Sequence, residues 1–246
     1  MHTEMKLNYK IVITGGSGRF GSILQKKYKS NKLFYPSKKQ LNILSIKSIE
    51  KYLKKIKPKF LIHLAGLSRP MKIHDDNISK SIDLNIIGTA NITKICSKLK
   101  IKLIYFSTNY VYEGKRGNYN ETQPLLPISN YAWSKLGGEA SVQMYPNSLI
   151  LRICMTEKPF IHKKAFYNVK TNFIFQEQVA KILFKILNYK GIINIGGNTQ
   201  TVYEFAKKFN DNVKKIYLKK NNKYNFPLNP SMNIKKLKKI LNSKLI

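Results

Sequence analysis

The stretch "YKIVITGGSGRFGSILQKKY" changes its hydrophobic period partway along. A continuous apolar run from Ile11 to Thr14 gives way to apolar residues at Phe20, Ile23, Leu24 and Tyr28, with glycines at 15, 18 and 21 around the join. A short apolar run ending in glycine predicts a buried strand, and the later spacing predicts one face of a helix. The alternation then repeats. "LFYP", "FLIHLAG", "KLIYFST" and "SLILRI" predict strands, separated by helical patterns in "SIKSIEKYLKKI", "SIDLNIIGTANITKICSKL" and the segment opened by Asn130. Strands alternating with helices of this length require right-handed crossovers and a parallel sheet covered on both faces. The predicted class is α/β, a doubly wound parallel sheet.

Beyond Arg152 the pattern loosens through "CMTEKPFIHKKAFYNVKTN", then returns as a helix in "QEQVAKILFKIL" and a strand in "GIINIGG". A helix near "TVYEFAKKF", a short strand "VKKIYL", a Lys/Asn-rich loop and a final helix "NIKKLKKIL" follow. The expected organisation is a nucleotide-binding sheet domain over 1–152, completed by 174–195, with a small substrate lobe over 153–246.

Composition narrows the function classes. At 246 residues and 43% apolar content, one substantial core with a small annex is expected. No run of about 18 apolar residues occurs and no signal-like stretch precedes the first strand, so a soluble chain with no membrane partner is expected. Cys96 and Cys154 lack CxxC spacing and clustered histidines, which argues against a metal site or a disulfide framework and suits a reducing cytoplasm. The formal net charge of +33 invites a nucleic-acid partner. Yet the basic residues are almost all Lys, with Arg only at 19, 69, 116 and 152, and Arg is the preferred bidentate reader of phosphate and guanine. A nucleic-acid partner is therefore disfavoured, while an anionic small substrate remains compatible with the charge.

The glycine spacing in "TGGSGRFG", directly between a strand and a helix, suits a pyrophosphate: the backbone can approach closely and the helix N-terminus offers free N–H groups. Gly15, Ser17, Gly18, Arg19, Phe20 and Gly21 are the candidate dinucleotide contacts. A Walker A loop would need Lys and then Ser or Thr after the last glycine, whereas Ser22 and Ile23 follow Gly21. At the end of the second strand, "YPSKKQ" has no acidic residue for a ribose 2′-hydroxyl, and Ser37 and Lys38 can instead accept a 2′-phosphate. NADP(H) is favoured over NAD(H).

With "HLAG" at 63 to 66, "LN" at 84 to 85, "STNYVYEG" at 107 to 114 and "YAWSK" at 131 to 135 all in order, the chain resembles the extended short-chain dehydrogenase/reductases. Within them it is most similar to the dTDP-4-dehydrorhamnose reductase group. The resemblance is dense over residues 10 to 152 and resumes at "GIINIGG" and "FPLNPSMNIKKLKKIL". It implies a Rossmann fold and an NAD(P)H-dependent reductase of a keto group on a nucleotide-linked sugar, serving cell-surface polysaccharide biosynthesis. By the same resemblance Tyr131 is the general acid, Lys135 binds the nicotinamide ribose and lowers the Tyr131 pKa, and Thr108 positions the substrate carbonyl. A phenol of pKa ~10 needs such a cation to work near neutral pH. Asn85 supports the site, and Ala65 and Gly66 let the cofactor lie close. Tyr131 and Lys135, four apart, share one helix face; taken alone, that pair also fits an ordinary amphipathic helix.

The reaction is narrowed by two positions. Dehydratases of this family carry an acidic pair after the catalytic Thr, and here Asn109 and Tyr110 stand there. The segment also matches the reductase form, with Asn109 replacing Asp. An epimerase shares the Tyr and Lys, so that alternative stays open, as does a non-catalytic, cofactor-binding regulatory subunit. Arg69, Asn109 and Arg152 are candidate substrate contacts, with loop capping the competing reading for Arg69. His63, alone on its strand, is expected to be a satisfied core histidine. A helix-paired homodimer is the family expectation. "ICMTEKPF" departs from the group's aromatic substrate segment, and the lobe that follows is short.

Overall fold

A computed structural model describes residues 3–160, 162–219 and 226–241. The alternating pattern folds into strands β1 (Ile11–Thr14), β2 (Leu33–Phe34), β3 (Phe60–His63), β4 (Lys102–Thr108), β5 (Ser148–Ile153) and β6 (Gly191–Ile195). The intervening helices are α1 (Arg19–Lys27), α2 (Ile46–Ile56), α3 (Gly88–Lys98), α4 (Asn130–Gln143) and α5 (Gln176–Ile186). The six strands form one parallel sheet in the order β2-β1-β3-β4-β5-β6, the doubly wound Rossmann architecture. Strand order reverses at β1, so the crevice at the C-terminal ends of β1 and β3 is the topological switch point where such sheets take ligands.

The chain divides into two compact units. One comprises Met1–Ser107, Ser134–Ile150 and Leu187–Gly191; the other comprises Thr108–Trp133, Leu151–Ile186 and Ile192–Ile246. In the first unit the sheet interior is apolar because its strands are covered on both faces: Ile11, Val12, Ile13, Leu61, Ile62, Leu103 and Ile104 are all fully buried. Each such side chain stabilises the fold by about 1.5–3 kcal/mol relative to exposure. α2 buries Ile49 and Leu53, starts where the Ser45 side chain accepts from the Ser48 N–H, and stops at Lys57 in left-handed conformation. The pairing register places Thr14 beside His63 and His63 beside Tyr105, a polar row across the three central strands.

The long helix expected over "SIDLNIIGTANITKICSKL" is interrupted. A turn of α-helix at Ile78–Ser81 leads into a π-helical segment, Ile82–Ile87, before α3 begins. Such widened turns carry one extra residue and recur at functional sites; this one carries Asn85.

The second unit is assembled from short pieces. Lys164–Phe166 pairs in parallel with Lys214–Ile216, Met155–Thr156 with Ile174–Phe175, and Lys170–Thr171 runs antiparallel to Gln200–Thr201. Helix α6 (Val202–Lys207) starts with a reciprocal capping box between Thr201 and Glu204. Phe160, Ala165, Val169, Phe175, Val202, Phe205 and Leu218 form its core. Buried amides brace what remains irregular. Asn172 donates to the Met232 carbonyl and accepts from its N–H, and Asn194 donates to the Tyr119 carbonyl and accepts from the Tyr112 hydroxyl. The final helix, α7, is Lys235–Leu241; most of the Lys/Asn-rich loop before it (220–225) lies outside the described residues.

Lys102, at the start of β4, is 6% exposed, and its Nζ has no hydrogen-bond partner among the described residues. Burial, and secondarily Lys190, lowers its pKa to about 8. The charged form is therefore the one folding disfavours: the penalty is complete below about 8 and is relieved as pH rises towards the unfolded-state value. Lys102→Met should stabilise the protein by about 1–2 kcal/mol at neutral pH. In urea unfolding followed at several pH values, that advantage should shrink above pH 8.

Candidate active site

The turn after β1 is closed by Gly18 N–H donating to the Gly15 carbonyl at 3.0 Å, and α1 follows with Ser22 N–H on the Gly18 carbonyl at 2.8 Å. Gly15 has φ +71°, and a Cβ there would lie 2.6 Å from the Ala65 backbone nitrogen. A Cβ on Gly21 would lie 2.4 Å from the Gly15 carbonyl oxygen. Both contacts are with backbone, so only glycine allows the strand, turn and helix to come this close. Gly18 caps α1 with no side-chain hydrogen bond, and the first turn holds no acidic residue. Gly18 therefore offers the N-terminal N–H groups no side-chain acceptor, and no acidic residue of the first turn offsets the positive end of the helix dipole. A dinucleotide pyrophosphate fits such a cradle.

Around it the expected contacts divide. Ser17, Gly18 and Arg19 are exposed at the mouth of the turn, and an Arg19 guanidinium nitrogen donates to Ser68 Oγ at 3.3 Å, spanning from the turn to the loop after β3. The Phe20 side chain is 5% exposed and packs on Phe106 with ring centroids 5.2 Å apart, so a dinucleotide contact from this residue would be made by its backbone. Ser37 and Lys38 are exposed in the turn after β2, where Ser37 N–H donates to Gln40 Oε1 at 2.9 Å. Arg69 is exposed in the loop after β3.

Within the first unit, Asn85 ties these elements together. It is 1% exposed; its Oδ1 accepts from Leu67 N–H at 2.7 Å, and its Nδ2 donates to the Leu67 carbonyl at 2.9 Å and to Ser134 Oγ at 2.8 Å. One side chain thus fixes the loop carrying Ala65 and Gly66 and the helix carrying Lys135. Space is tight on both sides: a Cβ on Gly66 would meet Asn85 Oδ1 at 2.7 Å, and one on Gly138 would meet the Asn85 carbonyl at 2.4 Å.

α4 carries Tyr131, Lys135 and Glu139 at successive turns. The Lys135 ammonium sits over the Tyr105 ring, 4.3 Å from its centroid, and the Tyr105 hydroxyl donates to the Lys135 carbonyl at 3.1 Å. Burial lowers the Lys135 pKa to about 7, against an opposing pull from Glu139. Glu139 is fully buried and accepts from Ser107 Oγ at 2.5 Å. His63 is clamped between Thr14 Oγ1 (2.8 Å) and Thr89 Oγ1 (3.2 Å). Burial first, and Lys135 second, push it down to about 3, which leaves a neutral imidazole. Tyr105, Ser107 and Glu139 were absent from the sequence reading. Continuing the i, i+4 series from Lys135 reaches Glu139, and the strand alternation puts Tyr105 and Ser107 on one face.

In the second unit, Thr108 is 5% exposed; its Oγ1 accepts from Tyr110 N–H at 3.3 Å and donates to Asn109 Oδ1 at 3.4 Å, capping the 3-10 turn Asn109–Val111. Tyr131 is partly buried and meets Tyr110 edge-on at 6.3 Å. Two candidate substrate contacts are internal struts. Asn109 is 3% exposed and donates to the Pro230 carbonyl at 3.2 Å. Arg152 is 2% exposed and donates to Tyr112 Oη at 2.8 Å and the Glu121 carbonyl at 3.1 Å. Among the described residues no cluster of His, Cys, Asp or Glu could hold a metal ion, and no helix is long and apolar enough to cross a membrane.

Sheet order, switch point and glycine turn define a doubly wound α/β protein with a cradle of the dinucleotide type. The chain belongs to the RmlD substrate binding domain family, whose model matches residues 9–184. The fold is similar to that of dTDP-4-dehydrorhamnose reductase from Bacillus anthracis in complex with NADP, with TM-score 0.85 and 21% identity over 96% of this chain and 94% of that one. It is also similar to the Bordetella bronchiseptica enzyme WbmG in complex with NAD and UDP, with TM-score 0.76 and 18% identity over 97% of this chain and 89% of that one. At these identities the likeness is one of fold. By sequence it is similar to methionine adenosyltransferase 2 subunit beta of Xenopus laevis, 28% identical over 154 residues, which is 58% of this chain and 46% of the relative. The chain spans about half the length of that relative.

Asn85→Ala would leave the Leu67 amide and carbonyl and the Ser134 hydroxyl without their buried partner. We expect a loss of about 2–4 kcal/mol in urea unfolding, and weakened NADPH binding, measured by fluorescence titration under conditions where the variant is folded.

Proposed function

We propose that this chain is an NADP(H)-dependent reductase of a keto group on a nucleotide-linked sugar, of the dTDP-4-dehydrorhamnose reductase kind, acting in the cytoplasm. The observation that carries the reading is α4: Tyr131 and Lys135 lie one turn apart on a helix whose position is fixed by Asn85 through Ser134, and Lys135 has its pKa pulled down to about 7. Held by the glycine turn, a reduced dinucleotide would supply hydride to the carbonyl carbon. Tyr131 gives its phenolic proton to the carbonyl oxygen, so the product is an alcohol. The Lys135 ammonium lowers the cost of the phenolate left behind. Thr108, at the end of β4, orients the carbonyl oxygen through its hydroxyl. The uncapped start of α1 and the glycines of the turn hold the pyrophosphate, while Ser37 and Lys38 are the candidates for the 2′-phosphate that distinguishes NADP(H). Arg19 and Arg69, exposed cations near this turn and the loop after β3, suit an anionic substrate. Buried Cys96 and Cys154, both free thiols, suit a reducing compartment.

A second reading is favoured by the methionine adenosyltransferase subunits among the relatives: a cofactor-binding subunit without turnover. The two readings part on one experiment. NADPH and NADH oxidation is followed with a panel of nucleotide-linked 4-keto sugars, beside NADPH binding in the same preparations. The reductase reading expects turnover with at least one sugar, and Tyr131→Phe should lower kcat by about 10²–10⁴ while the Kd for NADPH stays within a factor of ~3. Cofactor binding without turnover on any sugar supports the subunit reading instead.

A further inference from the structure

Lys135 is addressed from two sides within the first unit. From β4, Tyr105 reaches it twice: the ring lies under the ammonium at 4.3 Å and the hydroxyl donates to the residue's own carbonyl at 3.1 Å. A single side chain thereby fixes both the backbone and the charged end of Lys135. Tyr105 is itself held, since it is 1% exposed and its ring stacks on His63 at 6.0 Å, with both nitrogens of that imidazole engaged by threonines. On α4, Glu139 lies one turn beyond Lys135 with no exposed surface, its two oxygens held by Ser107 Oγ at 2.5 Å and Gln143 Nε2 at 3.2 Å.

We propose that Tyr105 and Glu139 form a socket for the Lys135 ammonium, in which Tyr105 sets its position and Glu139 keeps it charged; both are positioning residues. A buried ammonium without a nearby anion releases its proton, and a Lys that is neutral at working pH cannot favour a phenolate. The other titratable groups around Lys135 do not supply that anion. His63 on β3 is neutral, His74 in the short helix Ile73–Asp76 is lowered by burial, and Tyr131, one turn earlier on α4, is the group the cation is there to assist. Asp75 acts on His74. Glu139 is the acidic group whose pull on Lys135 opposes its burial.

The catalytic consequence rests on the reductase reading, but the socket itself can be tested without turnover. Competitive trace acetylation of the folded protein across pH, read by mass spectrometry, gives for Lys135 alone both a titration midpoint and a plateau reactivity. Glu139→Gln should lower the midpoint by about one unit or more, and Glu139→Asp, which retains the charge, should restore most of the shift. Tyr105→Leu should raise plateau reactivity about fivefold or more, because the ammonium loses its aromatic seat, whereas Tyr105→Phe keeps the ring and should stay within about twofold. An unmoved midpoint in Glu139→Gln overturns the proposal, as does an unchanged plateau in Tyr105→Leu. The Tyr105 pair keeps the test decisive if Glu139→Gln does not fold. Repeating the labelling with saturating NADPH separates the two readings: absence of protection at Lys135 counts against the cofactor role and leaves the socket standing.

Discussion

The arrangement of the first unit depends on Asn85. Its amide makes three hydrogen bonds in a buried position, two to Leu67 and one to Ser134. An amide can satisfy a backbone N–H and a backbone carbonyl at once, and few other side chains can. The widened π turn that carries Asn85 belongs to the same constraint, because it offsets the following helix while the chain stays helical on either side. Glycine at 66 and 138 is required by the resulting closeness, since any side chain there would strike Asn85 itself. The loop after β3 and the start of α4 are therefore located by a single residue, and the placement of Lys135 follows from it.

A second constraint is the cost of burying cations. Lys135 and Lys102 both have lowered pKa values through burial, to about 7 and about 8. Each carries a stability penalty that is full below its folded value and fades as pH rises towards the unfolded one. They differ in their surroundings. Lys135 has an aromatic ring beneath it and a buried carboxylate one turn away, whereas the Lys102 ammonium has no hydrogen-bond partner among the described residues. A penalty kept together with compensating groups is what the proposed role of Lys135 calls for; Lys102 shows the penalty alone.

Much of the fold was legible because hydrophobic period reports it directly. The strand at Ile11–Thr14, the helix at Ile46–Ile56 and the helix opened by Asn130 are where the pattern puts them. The π turn was not legible, since "SIDLNIIGTANITKICSKL" carries no proline or other local breaker at Ile82–Ile87 to mark a widened turn. Site residues divide in the same way. The glycines of the turn are dictated by local backbone geometry and can be read from spacing. Where the side chains of Phe20 and Arg152 pack is not legible from spacing, because a side chain's direction depends on its neighbours, and sequence alone does not show Phe106 beneath Phe20 or Tyr112 beside Arg152. Glu139 was overlooked although its spacing was visible, because an acidic residue on a helix is ordinary until its burial is known.

The internal engagement of Arg152 and Asn109 bears on substrate choice. The Arg152 guanidinium, at 2% exposure, spends donors on Tyr112 and the Glu121 carbonyl and so braces the interior of the second unit. Truncating such a buried group costs stability rather than affinity. On the proposed reductase reading, recognition of a charged, nucleotide-linked substrate falls to exposed cations, among which Arg19, Arg69 and Arg116 carry the planar guanidinium groups. The many lysines supply a diffuse attraction that raises encounter rates with any anion and discriminates little among them. On that reading, discrimination among sugars comes from shape and neutral hydrogen bonds rather than from charge.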